Sequence, residues 1–129
     1  MKTMEQNKMI PPPFIHRFEG DSGIDIAKQE IDAVFRDGEK RRLILRIGAP
    51  FIQNGIFRIR TELENLDRTD GPLAGSESFD TLLNGIAWIP ARLRTFEEEH
   101  GCLYYWPDSD TKFDYEDFFD GCRLLKKKT

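Results

Sequence analysis

The sequence predicts an α+β fold: an antiparallel sheet of about three to five strands with one long, Pro-kinked helix packed on one face. Three observations predict it. Apolar side chains alternate with polar ones between Ile31 and Leu63, an Asp-Gly turn signal interrupts that stretch, and apolar residues recur at three- and four-residue steps between Phe79 and Phe96. A chain of 129 residues has the size of one domain and buries roughly two-thirds of its unfolded surface, so a single modest core is expected.

Residues 1–13 end in Pro11, Pro12 and Pro13, a run that favours extended polyproline conformation, and read as a flexible tail leading into one domain over residues 14–125. Residues 126–129 form a basic C-terminal tail. Phe14 to Phe18 alternates weakly as a short strand, and Gly20 to Gly23 reads as a turn. In the next strand Ile31, Ala33 and Phe35 share the inward face, with Asp32 and Val34 on the solvated one. Asp37-Gly38 suits the positive φ angles of a tight hairpin. Lys40 to Ile47 follows with Leu43, Leu45 and Ile47 inward and Arg42, Ile44 and Arg46 outward, and Gly48, Ala49 and Pro50 end it. A third continuous strand is expected over Ile56 to Leu63, completing a meander.

Asn65 to Gly75 is a surface loop by composition. Ser76 or Ser78 then offers a hydroxyl oxygen to cap a helix starting near Glu77, whose apolar stripe is Phe79, Leu82, Leu83, Ile86, Ile89, Leu93 and Phe96. Gly85 weakens that helix, Pro90 bends it, and Gly101 stops it. Leu103 to Trp106 reads as a further strand, and the remainder as a segment with a short helix.

Composition excludes several function classes. A formal net charge of −4 and a pI near 5.2 argue against sequence-independent binding of nucleic acid, which needs excess Lys and Arg to displace counterions. No stretch has the length of a membrane span, and Met1 to Lys8 lacks an apolar signal region, so a cytoplasmic protein is expected. Cys102 and Cys122 are too few and too far from His16 and His100 for a four-ligand zinc set. His100 and Cys102 do not by themselves make a nucleophile and base pair. The glycines before the helix lack the Gly-Lys-Ser of a phosphate loop. The run Asp108, Asp110, Asp114 fails as a calcium loop, with Lys112 and Phe113 where a ligand and a glycine belong. No catalytic constellation and no cofactor are expected.

Two surfaces carry binding chemistry. The first is C-terminal, where Tyr105 and Trp106 precede Asp108, Asp110, Asp114, Tyr115, Glu116 and Asp117. Large rings supply binding energy at small entropic cost and carboxylates steer a basic partner, so this segment reads as a protein-binding patch. Its rings are equally suited to a core that the acids merely solvate. The second is an arginine stripe of Arg42, Arg46, Arg58 and Arg60, which on neighbouring strands could grip a phosphate or carboxylate. The same arginines pair as readily with nearby Asp32 and Glu62 on a solvated face.

The hairpin ending in Ile47-Gly48-Ala49-Pro50, the third strand, the loop to Gly75-Ser76-Glu77-Ser78-Phe79-Asp80 and the helix bearing Leu82 and Leu83 together resemble a group of small bacterial domains of unknown function over residues 30–106. Some small acidic proteins of this build are immunity proteins, which bind and block a toxin. The resemblance implies a protein that binds and blocks a cognate toxin. The acidic charge adds the expectation of a basic partner and of no direct contact to nucleic acid, and the lack of an apolar span that of none to membrane. Monomer or homodimer stays open. A small ligand-binding or enzymatic domain using the arginines is the competing expectation.

Overall fold

The computed structural model describes residues 18–120. In chain order β1 (Asp25–Val34), β2 (Lys40–Gly48), β3 (Phe51–Gln53), β4 (Ile56–Ile59), β5 (Thr61–Glu64), β6 (Asp67–Arg68) and β7 (Leu73–Gly75) precede the helix α1 (Ser78–His100). The strand β8 (Leu103–Tyr105) and the short helix α2 (Tyr115–Phe118) follow. Five strands form one antiparallel sheet in the order β6-β5-β2-β1-β8, and three form a second in the order β3-β4-β7. The fold is α+β with one long helix. The expected tails and His16 and Cys122 lie outside the described residues, as does the expected first strand apart from Phe18.

The hairpin at Asp37-Gly38 closes with the Phe35 amide donating to the Glu39 carbonyl at 2.8 Å, and Gly38 takes φ 92°. This sets Ile31 opposite Leu43 and puts Ile31, Ala33, Leu43, Leu45 and Ile47 in the core. β1 starts six residues before Ile31, at Asp25, with a bulge between Asp25 and Ala27.

The expected third strand is two strands in two sheets. β4 belongs to the second sheet, where it pairs with β3 through a turn at Asn54-Gly55, both residues at positive φ (54° and 76°). β5 belongs to the first sheet beside β2. The break falls at Arg60, whose side chain is buried. Its Nε donates to Asp21 at 2.9 Å, its Nη1 to Asp25 at 2.7 Å and its Nη2 to the Ile24 carbonyl at 3.1 Å. A buried guanidinium needs carboxylate partners, and these come from Asp21 in the turn before β1 and Asp25 at its start, so the strand leaves one ladder and enters the other where Arg60 reaches them.

The helix runs unbroken from Ser78 to His100 with Pro90 inside it. Its start differs from the expected serine cap. Asp80 turns back to accept from the Glu77 amide at 2.7 Å, the Ser76 amide at 3.0 Å and the Ser76 hydroxyl at 2.7 Å, so the serine donates and the carboxylate caps. At the other end Gly101, with φ 62°, donates its amide to the Glu97 carbonyl at 3.0 Å.

The apolar stripe is rotated from the expected one over the first turns. Phe79 and Leu83 are exposed, and the residues buried against the sheets are Thr81, Gly85, Ile89 and Leu93. Gly85 is the point of closest approach. A Cβ there would lie 3.0 Å from Ile59 Cγ2 and 3.1 Å from Ile47 Cδ1, and the Gly85 carbonyl accepts from the buried Thr61 hydroxyl at 3.1 Å. The helix loses some propensity at Gly85 and gains contact with strands from both sheets.

Gly85→Val is therefore expected to lower stability by about 2 kcal/mol through overpacking, despite the better helix propensity of valine. Leu83→Ala, on the exposed side of the helix, should change stability by less than about 1 kcal/mol. Urea unfolding of both variants checks the ranking.

Candidate partner-binding surface

The four arginines do not form one open stripe. Arg42 and Arg46 project from the outer face of β2, Arg60 is buried at the break between β4 and β5, and Arg58 lies on β4 in the second sheet. The first three are enclosed by carboxylates. Arg42 donates to Asp32 at 2.6 Å, Glu30 at 2.9 Å and Asp108 at 2.7 Å. Arg46 donates to Asp25 at 2.6 Å and Glu64 at 2.8 Å, so Asp25 bridges Arg46 and Arg60. Arg58 buries its Nε without a hydrogen-bond partner among the described residues.

Asp32, expected on a solvated face, is 2% exposed. The loop after β8 folds over it, and the Asp108 amide donates to its second oxygen at 2.8 Å while Lys40 approaches to 3.6 Å. Burial alone would push the Asp32 carboxyl up. The Arg42 and Asp108 hydrogen bonds and the charges of Arg42 and Lys40 outweigh burial and hold it below the usual carboxylate range. The Arg42 guanidinium is correspondingly raised, first by its hydrogen bond to Asp32 and then by those to Glu30 and Asp108. Arg46 and Arg60 are raised too, their carboxylate bonds exceeding the opposing effect of burial.

The C-terminal segment divides between core and surface. Phe113 is buried at 1% exposure and Tyr115 at 6%, so Tyr115 does not belong to the exposed ring set expected of it. Its hydroxyl donates to the Glu97 carboxylate, and burial, followed by that bond, pushes the phenol up to about 12. Tyr104 is likewise core, with its hydroxyl on the Leu93 carbonyl at 2.7 Å. Trp106 stays 36% exposed and packs edge-on against Phe113 and Phe118, with ring centres 5.0 Å and 5.9 Å apart. Phe118 is 44% exposed. It is the ring that a reading of Tyr105 and Trp106 alone misses, although its place three residues after buried Tyr115 marks it as a residue at the core margin.

The acids of the same segment stay at the surface. Asp110, Asp114, Glu116 and Asp117 are exposed, and Tyr105 is half-buried on β8. Asp114 also caps α2 by accepting from the Asp117 amide at 3.2 Å, and Glu116 meets Arg94 at 2.9 Å. Asp108 remains at the solvent with 81% of its side chain exposed, although it bonds Arg42. The segment thus exposes two adjoining rings together with carboxylates, with Lys112 also exposed among them and Arg94 on Glu116.

Nothing in this arrangement activates a nucleophile. The Cys102 thiol is buried, and burial pushes it up to about 11, far from the thiolate that nucleophilic attack needs. Among the described residues no group of three or more His, Cys, Asp or Glu side chains is placed to hold a metal ion, and no helix is long and apolar enough to cross a membrane. No family model, curated protein or solved structure matches the chain.

The Asp32 carboxyl sits below its ordinary value in the folded state. Its contribution to stability is complete above the ordinary carboxylate range and is lost as pH falls through the depressed value. Asp32→Asn is expected to cost about 2 kcal/mol at neutral pH through the weakened bonds to Arg42 and Asp108. The acid limb of its stability profile should flatten relative to wild type, as urea unfolding across pH would record.

Proposed function

We propose that the protein is an immunity- or inhibitor-type protein that neutralises a cognate bacterial toxin by covering a basic surface of it. The single observation carrying this reading is the contact between Trp106 and Phe118, two partly exposed rings at 5.9 Å on a segment that also exposes Asp110, Asp114, Glu116 and Asp117. Rings held by core neighbours bury apolar area at little entropic cost, because Phe113 already restricts Trp106 before binding. The acids draw in a partner rich in Lys and Arg and accelerate encounter. Tyr105 and Asp108 extend the same surface toward the outer face of the first sheet.

The competing reading, recognition of an anionic small molecule through Arg42, Arg46, Arg58 and Arg60, has less support. An incoming phosphate would displace carboxylates already bonded to three of them, and Arg58 stands apart on the second sheet. A cytoplasmic site of action fits an inhibitor that protects the producing cell, and the protein would act there without contacting nucleic acid or membrane itself.

Tagged wild type should capture a basic effector from the native cell. The variant combining Trp106→Ala with Asp110→Lys should capture at least about thirtyfold less, since a central Trp contributes about 2 kcal/mol or more. Asp114→Asn, which keeps an acceptor for the α2 cap and removes the charge, should slow association mainly at low salt. Undiminished capture by the Trp106 variant would remove this surface from consideration.

A further inference from the structure

β1 is longer than its neighbour on one side. β8 pairs with Asp32, Ala33 and Val34 only, and the edge from Ala27 to Ile31 faces no strand among the described residues. Which backbone groups are open follows from the hairpin. The Phe35 amide bonds the Glu39 carbonyl, so the odd-numbered residues beyond the bulge bond toward β2 and the even-numbered ones point the other way. Asp32 and Val34 face β8 by this parity, and Lys28 and Glu30 face the open edge. Among the described residues the Glu30 carbonyl accepts from the neighbouring Gln29 side-chain amide at 2.8 Å.

On the helix side the same edge borders an apolar groove. Ile26, 53% exposed, Leu82 and Ile86 of α1, and Phe118 and Phe119 line it. An open strand edge beside an apolar groove is a template for another strand.

We propose that this edge joins two copies of the chain, with β1 pairing antiparallel to β1 of the second copy about a two-fold axis at Gln29. That register sets Lys28 opposite Glu30 of the second copy, twice by symmetry, so opposite charges meet on the outer face at both places. It also makes both residues hydrogen-bonded pairs, because their amides and carbonyls are the ones that point outward. Glu30 already bonds Arg42 at 2.9 Å and keeps its charge there, with Arg46 held by Asp25 and Glu64. Pairing extends from Ala27 to Ile31. Tyr105 ends it by occupying the edge at Asp32, and the bulge between Asp25 and Ala27 falls just beyond the paired residues. Both α1 helices lie on the same side of the joined sheet, which brings the two apolar grooves together. The groove shares Phe118 with the proposed partner-binding surface, and Glu30 shares Arg42 with Asp108. The pairing charges are Lys28 and Glu30, neither of which belongs to that surface, so a failed dimer would leave that reading standing.

The test is mass by sedimentation over a wide concentration range for wild type, Lys28→Glu and Glu30→Lys, with circular dichroism confirming that each variant is folded. Wild type should dimerise. Each variant alone faces like charge at both symmetric positions and should associate at least about tenfold more weakly. Mixing the two variants restores both attractive pairs, so the mixture should form a heterodimer with an affinity near that of wild type. A wild type that stays monomeric throughout, a dimer insensitive to both reversals, or a mixture no tighter than its components would each overturn the proposal.

Discussion

The buried guanidinium of Arg60, held between Asp21 and Asp25, is the interaction on which the rest of the structure depends. Breaking one side of such a buried pair costs about 3–5 kcal/mol, because the remaining charge stays in a medium that solvates it poorly. Arg60 joins three parts of the chain: the turn before β1, the bulged start of β1, and the point where one run of residues passes between two sheets. Gly48 packs against it, and a Cβ there would lie 2.8 Å from Arg60 Nη2. The Gly48 amide also donates to the Arg60 carbonyl at 2.9 Å. Both the side chain and the backbone of Arg60 therefore hold the second sheet to the first, and α1 closes over the seam through Gly85.

The charge pattern spreads outward from that clamp. Asp25 passes the network to Arg46, Arg46 to Glu64, and a parallel group around Arg42 takes in Glu30, Asp32 and Asp108. Cations that would dominate the outer face are thereby neutralised inside the molecule. Asp108 and Asp110 on the loop after β8 and Asp114, Glu116 and Asp117 at α2 remain exposed, Asp108 and Glu116 while paired with Arg42 and Arg94. The contact of Asp108 with both Asp32 and Arg42 ties this loop to the sheet, so Trp106 is presented from a fixed base.

Local signals in the sequence account for the hairpin at Asp37-Gly38, the strands on either side of it, the single long helix and its stop at Gly101. Each of these depends on residues near in sequence. Asn54-Gly55, flanked by Phe51-Ile52 and Ile56-Phe57, is an equally local signal for the β3–β4 hairpin, and reading Ile56 to Leu63 as one strand passes over it. The break at Arg60 was not legible, since its partners lie 35 and 39 residues away. The same holds for Asp32, whose alternation places it outward while a loop 76 residues later covers it. The helix phase shifts because small Gly85 and Thr81 make the closest contacts, where hydrophobicity alone favours Phe79 and Leu83. In the candidate surface, composition identified the segment, but sorting Tyr115 into the core and Phe118 to the surface required the packing of α2 against α1.

Arg42, Arg46 and Arg60 are committed to carboxylates within the fold, and under the proposed function the exposed rings and acids are what a partner meets. Nuclear magnetic resonance of the arginine Nε–H groups and the Trp106 indole N–H, recorded on one sample with inorganic phosphate and on another with an oligolysine peptide, tests this division most directly. Phosphate is expected to leave the Arg42, Arg46 and Arg60 resonances in place, and the peptide to move the Trp106 indole together with the Asp110 amide. Arginine resonances that shift with phosphate while Trp106 ignores the peptide would contradict it.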